Sequence, residues 1–315
     1  MQIIVPDYYK HFHCIADKCQ HSCCIGWEID VDADSLARFD ALSGPYGALL
    51  RSRIDRSGET PHYRLTANDR CPFLQPDGLC EMILELGEDA LCQICTDHPR
   101  FRNYFSHRIE LGLGLCCEAA GDLILNRKAP TTLEVWENDG VEETPDGEEE
   151  TLLSFREMLI SILQDRTLPL DERLRELLDT CAASLPDGGP VKWAEFLLDL
   201  ERLDEEWTAR LKTLQSSALS PAPSGKDWTV AFEQAAVYFL FRHLPAALED
   251  GDVASKAAFA VFSVEVLRAL CAQTPDADVN DLVELARMYS SEIEYSEENL
   301  WAVFDWLKQG FETEK

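Results

Sequence analysis

The sequence predicts a mainly α protein in which a cysteine-rich, metal-binding N-terminal unit is followed by an all-α helical bundle. Three observations lead there. Ten of the twelve cysteines fall between Cys14 and Cys117, apolar residues recur at spacings of three and four beyond residue 150, and no strand-like alternation persists in that later part. A chain of 315 residues holds material for about two domains. Composition divides it into a cysteine-rich metal- or cluster-binding domain over 1–130, an acidic linker over 131–150 and an acidic helical domain over 151–315.

Along the first unit, turn signals at Ser43-Gly44-Pro45 and Pro76-Asp77-Gly78 interrupt short periodic stretches at Asp34–Leu42 and Leu79–Leu86. Such a segment has little continuous apolar periodicity, so its cysteines are expected to stabilise it through metal. A helix over Cys116–Leu125 is its last expected element, with Ala119, Ala120, Leu123 and Ile124 on one face. From Glu134 to Glu150 the chain reads EVWENDGVEETPDGEEE, nine acids with Gly and Pro, the composition of a solvated linker.

Helical spacing then takes over. Leu152, Leu153, Met158, Leu159, Ile162 and Leu163 share one face, as do Trp193, Phe196, Leu197, Leu200 and Leu203. A second break, Ser216–Gly225, precedes helices expected at Trp228–Leu244, Val253–Ala272, Val279–Tyr289 and Ser296–Gly310. In the last of these, Ser296 with Asn299 reads as a cap and Gly310 as a stop.

Charge narrows the function. Acidic residues outnumber basic ones 58 to 28, a formal charge of −30, which argues against a general affinity for nucleic acid phosphates. Residues 1–128 hold 13 Lys and Arg against 19 Asp and Glu, and residues 129–315 hold 15 against 39, so a cationic partner is drawn to the second half. Apolar runs such as Ala257–Val264 are far shorter than the ~18 residues of a membrane span. The opening MQIIVPDYYKHFHC lacks the basic and apolar regions of a secretory signal, so the expected location is cytoplasmic.

The cysteines run Cys14-x4-Cys19-x3-Cys23-Cys24, then Cys71-x8-Cys80-x11-Cys92-x2-Cys95, then Cys116-Cys117. A pair separated by two residues presents both sulfurs to one ion or cluster across a turn, and Cys92-x2-Cys95 fits. Three states compete for the set: disulfides, disfavoured where thiols are kept reduced; structural zinc, which prefers paired knuckles; and an iron–sulfur cluster with or without a second metal. Neighbouring side chains diverge, so Cys23-Cys24 and Cys116-Cys117 are each expected to give one ligand to any one cluster. The radical S-adenosylmethionine pattern fails, because Gly26 stands where its third cysteine belongs. Glu110-Leu-Gly112-Leu-Gly114 imitates a glycine-rich nucleotide turn but runs directly into Cys116-Cys117, with no βαβ series around it; a tight approach of backbone to metal is the alternative explanation.

Taken together, Cys19-x3-Cys23-Cys24-x2-Trp27, Cys71-Pro72-Phe73-Leu74, Gly78-Leu79-Cys80, Leu91-Cys92-x2-Cys95-x2-His98-Pro99-Arg100 and Leu115-Cys116-Cys117-Glu118-Ala119-Ala120 resemble the flagellin lysine N-methylase family. The ordered set spans about residues 8–127; the helical remainder matches in length and character. The resemblance implies a bacterial cytoplasmic enzyme that transfers methyl from S-adenosylmethionine to lysine ε-amines of flagellin, with an iron–sulfur cluster, of the 4Fe-4S type, and zinc as an alternative or second metal. It implies metal ligation by Cys14, Cys19, Cys23, Cys24, Cys71, Cys80, Cys92, Cys95, Cys116 and Cys117. Some relatives have Cys-Pro-Glu where this chain has Cys116-Cys117-Glu118, which makes Cys117 the weaker candidate.

Methyl transfer to lysine requires a neutral amine held in line with a sulfonium methyl group. Aromatic faces stabilise the sulfonium and carboxylates orient the amine. The candidates are Asp97, Glu118 and Trp27 for catalysis, and Arg100, Trp27 and Asp30 for the cofactor. Each has a simpler explanation: Trp27 as a packed shield, Asp30 and Asp32 as caps of the helix after them, His98 as a hydrogen-bonded turn residue, Arg100 as a salt-bridge partner and Glu118 as a helix-start carboxylate. Cys181 and Cys271 lie on apolar helical faces as core residues. Besides the enzyme, two further functions fit: a non-catalytic metal-binding or redox-sensing interaction module, and a zinc scaffold on a helical adaptor.

Overall fold

The computed structural model of the chain describes every residue except 139, 141–143, 145, 217–220 and 313–315. The expected linker and the Ser216–Gly225 break therefore lie partly outside the described residues. The described chain is mainly helical with a small sheet. Six short strands occur in chain order: β1 (Gln2–Pro6), β2 (Ile54–Asp55), β3 (His62–Tyr63), β4 (Arg100–Tyr104), β5 (Arg108–Leu113) and β6 (Leu133–Asn138).

The chain forms two compact units, His13–Arg100 and Met1–Phe12 with Phe101–Lys315. This division departs from the expected boundary near residue 130, and the sheet explains why. β1 pairs in parallel with β5 and antiparallel with β6, in the order β4-β5-β1-β6, so the first residues of the chain complete a sheet made by residues beyond 100. In this division Cys116 and Cys117 belong to the larger unit and the other eight N-terminal cysteines to the smaller one. The expected linker is also partly structured, because Leu133–Asn138 is the outer strand β6, hydrogen-bonded along β1.

In the smaller unit, α1 (Ala33–Ala41) begins where the Asp32 side chain accepts from Ser35 N at 2.9 Å, and it turns Ser35 and Phe39 inward. α2 (Gly44–Ser52) follows, then α3 (Glu81–Leu86) and α4 (Gln93–Asp97), a short helix with Cys92 at its N-cap. The core here gathers Ile29, Val31, Phe39, Leu50, Ile54, Tyr63, Phe73 and Met82 around two buried cysteines, Cys71 and Cys92.

In the larger unit, α5 (Glu118–Leu125) is followed by α6 (Gly147–Leu163), α7 (Leu170–Thr180), α8 (Gly189–Asp199), α9 (Glu205–Ser216), α10 (Lys226–His243), α11 (Ala247–Asp250), α12 (Val253–Ala272), α13 (Val279–Tyr289) and α14 (Glu297–Glu312). α10 and α12 are buried on nearly all sides, as helices without a polar face must be. α13 starts at a capping box between Asp278 and Asp281. Asn299 N donates to Ser296 Oγ at 3.3 Å as a cap, whereas Gly310 does not stop α14, which continues two residues beyond it. None of the described helices is long and apolar enough to cross a membrane.

Candidate functional site

Backbone pairing assembles the thiols of the smaller unit. Cys71 N donates to Cys24 O at 2.8 Å, beside an antiparallel bridge between Ile25 and Arg70, so the two cysteine segments lie edge to edge. The chain then turns at Pro76-Asp77-Gly78 and bridges Leu74 to Cys80, with Glu81 N donating to Phe73 O. Asp32 reaches across to the third segment. Its second oxygen accepts from Gln93 N at 2.8 Å, so one carboxylate caps both α1 and α4 and fixes the Cys92-x2-Cys95 turn. Arg38 secures the approach by donating to Asp89 O at 2.8 Å and Leu91 O at 3.1 Å.

All twelve cysteines, each within the described residues, are free thiols. Cys24, Cys71, Cys80, Cys92 and Cys95 pack in one core and influence one another's ionisation. Cys92 Sγ and Cys95 Sγ are 3.3 Å apart; this contact holds the Cys92 thiol down to about 7 and pushes the Cys95 thiol up. A hydrogen bond from Cys23 likewise brings Cys24 down to about 7, while burial raises Cys71 to about 12. The set thus mixes acidified and protonated sulfurs, the state of a crowd that cannot all ionise without a cation. Among the described residues, no group of three or more His, Cys, Asp or Glu side chains stands in a metal-holding arrangement.

Three cysteines lie on the outside of the same unit. Cys14 is exposed and accepts from Ala16 N at 3.4 Å, Cys19 is half-buried and donates to His21 O at 3.2 Å, and Cys23 is exposed yet hydrogen-bonds to its half-buried neighbour Cys24, so these two adjacent thiols meet where divergence is expected. Trp27 is half-buried against the thiol core and its indole donates to Cys23 O at 2.7 Å, which is the shielding position. Asp30 is exposed and its backbone bridges to His62. Asp97 accepts from Gln93 Nε2 at 2.8 Å, Arg100 donates to Thr96 O at 3.0 Å, and burial depresses His98 to about 4. Trp27, Asp30 and Arg100 therefore stand on three stretches with different partners. Asp97 and Trp27 belong to the smaller unit, whereas Glu118 opens α5 in the larger one.

The larger unit holds a second centre that sequence reasoning missed. Tyr238 OH donates to Glu294 at 3.0 Å and accepts from Leu115 N at 3.1 Å and Arg242 at 2.8 Å. His243 Nε2 lies 2.5 Å from Glu294 Oε1, and the Arg242 guanidinium lies 4.8 Å from both the Phe101 and Tyr295 ring centres. Burial opposes the Arg242 charge, yet Glu294 and Tyr238 hold it well above the ordinary value. Burial raises Cys116 to about 12, against the lowering effect of a hydrogen bond with Tyr295 and the nearby Arg242. Glu294 ends a π-helical turn over Ser290–Glu294, an irregularity frequent at functional sites.

The glycines of Glu110-Leu-Gly112-Leu-Gly114 serve this centre. A Cβ on Gly112 would fall 2.1 Å from the Phe101 ring, and one on Gly114 would fall 2.3 Å from the Tyr295 hydroxyl. Aromatic rings fill the space that a Cβ would need, so close packing of backbone against Phe101 and Tyr295 accounts for both glycines. Glu110 is fully buried and paired with Arg156 through two bonds of 2.6 and 2.7 Å. The sequence signal for the centre was faint: Arg242-His243 at the end of an apolar helix, and Glu292 and Glu294 within a run that reads as surface.

The chain is similar over 129 residues to proteins named lysine-N-methylase from Salmonella choleraesuis (strain SC-B67), at 28% identity, and Salmonella typhimurium, at 27%. It is also 28% identical over 129 residues to the flagellar biosynthetic protein FliU of Salmonella muenchen. Each match covers 38% of this chain; it covers 32% of either lysine-N-methylase and 75% of FliU. The chain thus spans about a third of the length of the lysine-N-methylases it matches. No protein-family model and no solved structure matches it.

Proposed function

We propose that the chain is a protein-lysine N-methyltransferase that takes its methyl group from S-adenosylmethionine and acts on flagellin, with an iron–sulfur cluster held by its N-terminal thiols. The similarity to proteins named lysine-N-methylase carries this reading, and the flagellar name of FliU supports the choice of substrate.

The chemistry of the donor set, though not its present spacing, suits a thiolate-bound metal. Cys24, Cys71, Cys80, Cys92 and Cys95 share one core, and Cys24 and Cys92 are already acidified. These five are the residues that would hold the group, and ligation requires the sulfurs to close from the positions they hold here. When bound, an iron–sulfur cluster supplies one-electron chemistry or a brace for the fold. The chain's own residues do the positioning: Asp32 holds the Cys92-x2-Cys95 turn, and Trp27 screens the sulfurs.

In the transfer the lysine ε-nitrogen, as free amine, attacks the sulfonium methyl carbon. The carbon–sulfur bond breaks as the carbon–nitrogen bond forms, S-adenosylhomocysteine leaves, and the ammonium product gives its extra proton to solvent or to a carboxylate. Within the smaller unit, Asp97 is the carboxylate proposed to orient the amine and Trp27, Arg100 and Asp30 the residues proposed to hold the donor; Glu118, in the larger unit, is the alternative carboxylate.

Anaerobic incubation of metal-replete protein with labelled S-adenosylmethionine and flagellin, followed by mass spectrometry of lysines, tests the reading. Methyl label on lysine is expected. Absence of transfer from protein that retains visible iron–sulfur absorption would leave a non-catalytic metal-binding or redox-sensing module; colourless protein containing zinc would remove the iron–sulfur assignment.

A further inference from the structure

The larger unit contains a cavity of about 270 Å³ that neither the cysteines nor the Arg242–Glu294 centre explains. Its walls include Ile124, Ile160 and Val237, with the rings of Tyr8, Tyr238 and Phe241. Glu157 is the one charged residue among the described residues that line it, and it is exposed, which places a carboxylate on the open side.

Most polar groups along the wall are already engaged. Thr131 Oγ1 and Gln234 Oε1 share a bond of 2.7 Å, Gln234 Nε2 donates to Ala129 O at 2.7 Å, and the Tyr238 hydroxyl is taken up by Leu115, Arg242 and Glu294. The Tyr8 hydroxyl differs. Tyr8 is 3% exposed and lines the cavity, and no partner for its hydroxyl occurs among the described residues.

A volume slightly below the roughly 300 Å³ at which drug-sized pockets begin suits one long side chain better than a nucleoside. Aliphatic walls accommodate methylenes, aromatic faces and a carboxylate attract a cation, and a free tyrosine hydroxyl accepts a hydrogen bond from one. The surroundings favour the same sign of charge, since this unit holds 43 acidic residues against 20 basic ones.

From these features we infer that the cavity binds the side chain of a lysine presented by a protein partner, with Glu157 as counter-charge and the Tyr8 hydroxyl as acceptor. The inference rests on the methyltransferase reading for its choice of lysine among cations. It adds the place where that lysine is received, in the larger unit, which holds none of the eight cysteines of residues 13–100.

The test uses the full chain at low ionic strength, with methyl NMR of Ile124, Ile160 and Leu133 as the readout. The probes are Nα-acetyl-lysine N-methylamide and its uncharged analogue Nα-acetyl-norleucine N-methylamide. The lysine probe is expected to shift these methyls. Glu157→Gln, an exposed substitution, weakens its binding about two- to fivefold, the range of a solvent-exposed ion pair, and Glu157→Lys about tenfold or more. Norleucine binding is unaffected by either change.

Silence of the cavity methyls towards the lysine probe, or equal responses to the two probes, overturns the inference. Combined with the labelled-methyl experiment, the result separates the two proposals. Flagellin methylated while the cavity stays silent removes the cavity and keeps the enzyme; a cavity that takes the lysine probe without any protein methylation keeps the cation site and removes the enzyme.

Discussion

In residues 13–100 the polar atoms nearest the core are sulfurs: Cys71 and Cys92 are buried with eight other residues, and Cys24, Cys80 and Cys95 pack against them. In the larger unit the buried polar groups include carboxylates paired with guanidinium groups. Glu110 meets Arg156, Glu233 meets Arg166 and Arg173, and Glu294 meets Arg242 and His243. The two choices have different consequences. An ion pair inside a large hydrocarbon core is complete without help from outside, while a sulfur-centred core of few residues gains much of its stability from whatever the sulfurs bind. On the proposed function, folding of the smaller unit is tied to the metal that its sulfurs would bind, and folding of the larger unit is not.

The largest expected effect tests that contrast directly. Removing metal from loaded protein with an anaerobic chelator is expected to cost the smaller unit about 10 kcal/mol or more, as structural thiolate sites do. Amide hydrogen exchange should then rise throughout residues 13–100 and stay slow in α10 and α12. Equal loss of protection in both units would break the comparison.

Next comes Glu233→Gln, which leaves Arg173, 1% exposed, without its charge partner. Denaturant unfolding of the larger unit should show a loss of about 3–5 kcal/mol, the cost of stranding a buried charge. A loss under 1 kcal/mol would show that Arg173 finds water or another acceptor.

A pH dependence of stability is expected from His98. Burial lowers its folded value to about 4 from an unfolded 6.5. Between those values the unfolded chain takes up a proton that the folded chain refuses. Stability is thus complete above pH 6.5 and falls as pH drops towards 4, by up to about 3 kcal/mol. Comparing unfolding of the wild type and His98→Gln at pH 7 and pH 4.5 isolates this contribution, and identical pH slopes would remove it.

The smallest of these effects sharpens the description of the thiol core. Asp32→Ala removes two helix caps at once and should cost about 2 kcal/mol, since one cap is worth roughly 1. Thiol-alkylation rates of Cys92 and Cys95 should also change, because α4 loses the bond that sets its first turn. Asp32→Asn, which keeps a capping oxygen, should recover most of both. Unchanged alkylation in Asp32→Ala would mean that α4 is set by its own sequence.

Much of the helical part could be read in advance. Val253–Ala272 and Val279–Tyr289 have the bounds that periodicity indicated, because long apolar repeats report burial without reference to distant partners. The cap at Asp32 was also legible, but its second bond to Gln93 joins residues 61 apart, and no local pattern carries that. The sheet escaped for the same reason: β1 is five residues whose hydrogen-bond partners lie more than a hundred positions away.

The sequence by itself determined the kinds of chemistry available: a dense set of thiols near the N-terminus, an acidic helical remainder, and cysteine motifs that resemble those of a lysine N-methylase family. Tertiary structure alone decided which groups meet. It assigned Cys116-Cys117 to a different compact unit from the other eight N-terminal cysteines, drew β1 into the sheet of the larger unit, and gave the two glycines before Cys116 to the rings of Phe101 and Tyr295. The physical reason is that residue type sets what a side chain can bind, whereas burial and long-range pairing set what it does bind.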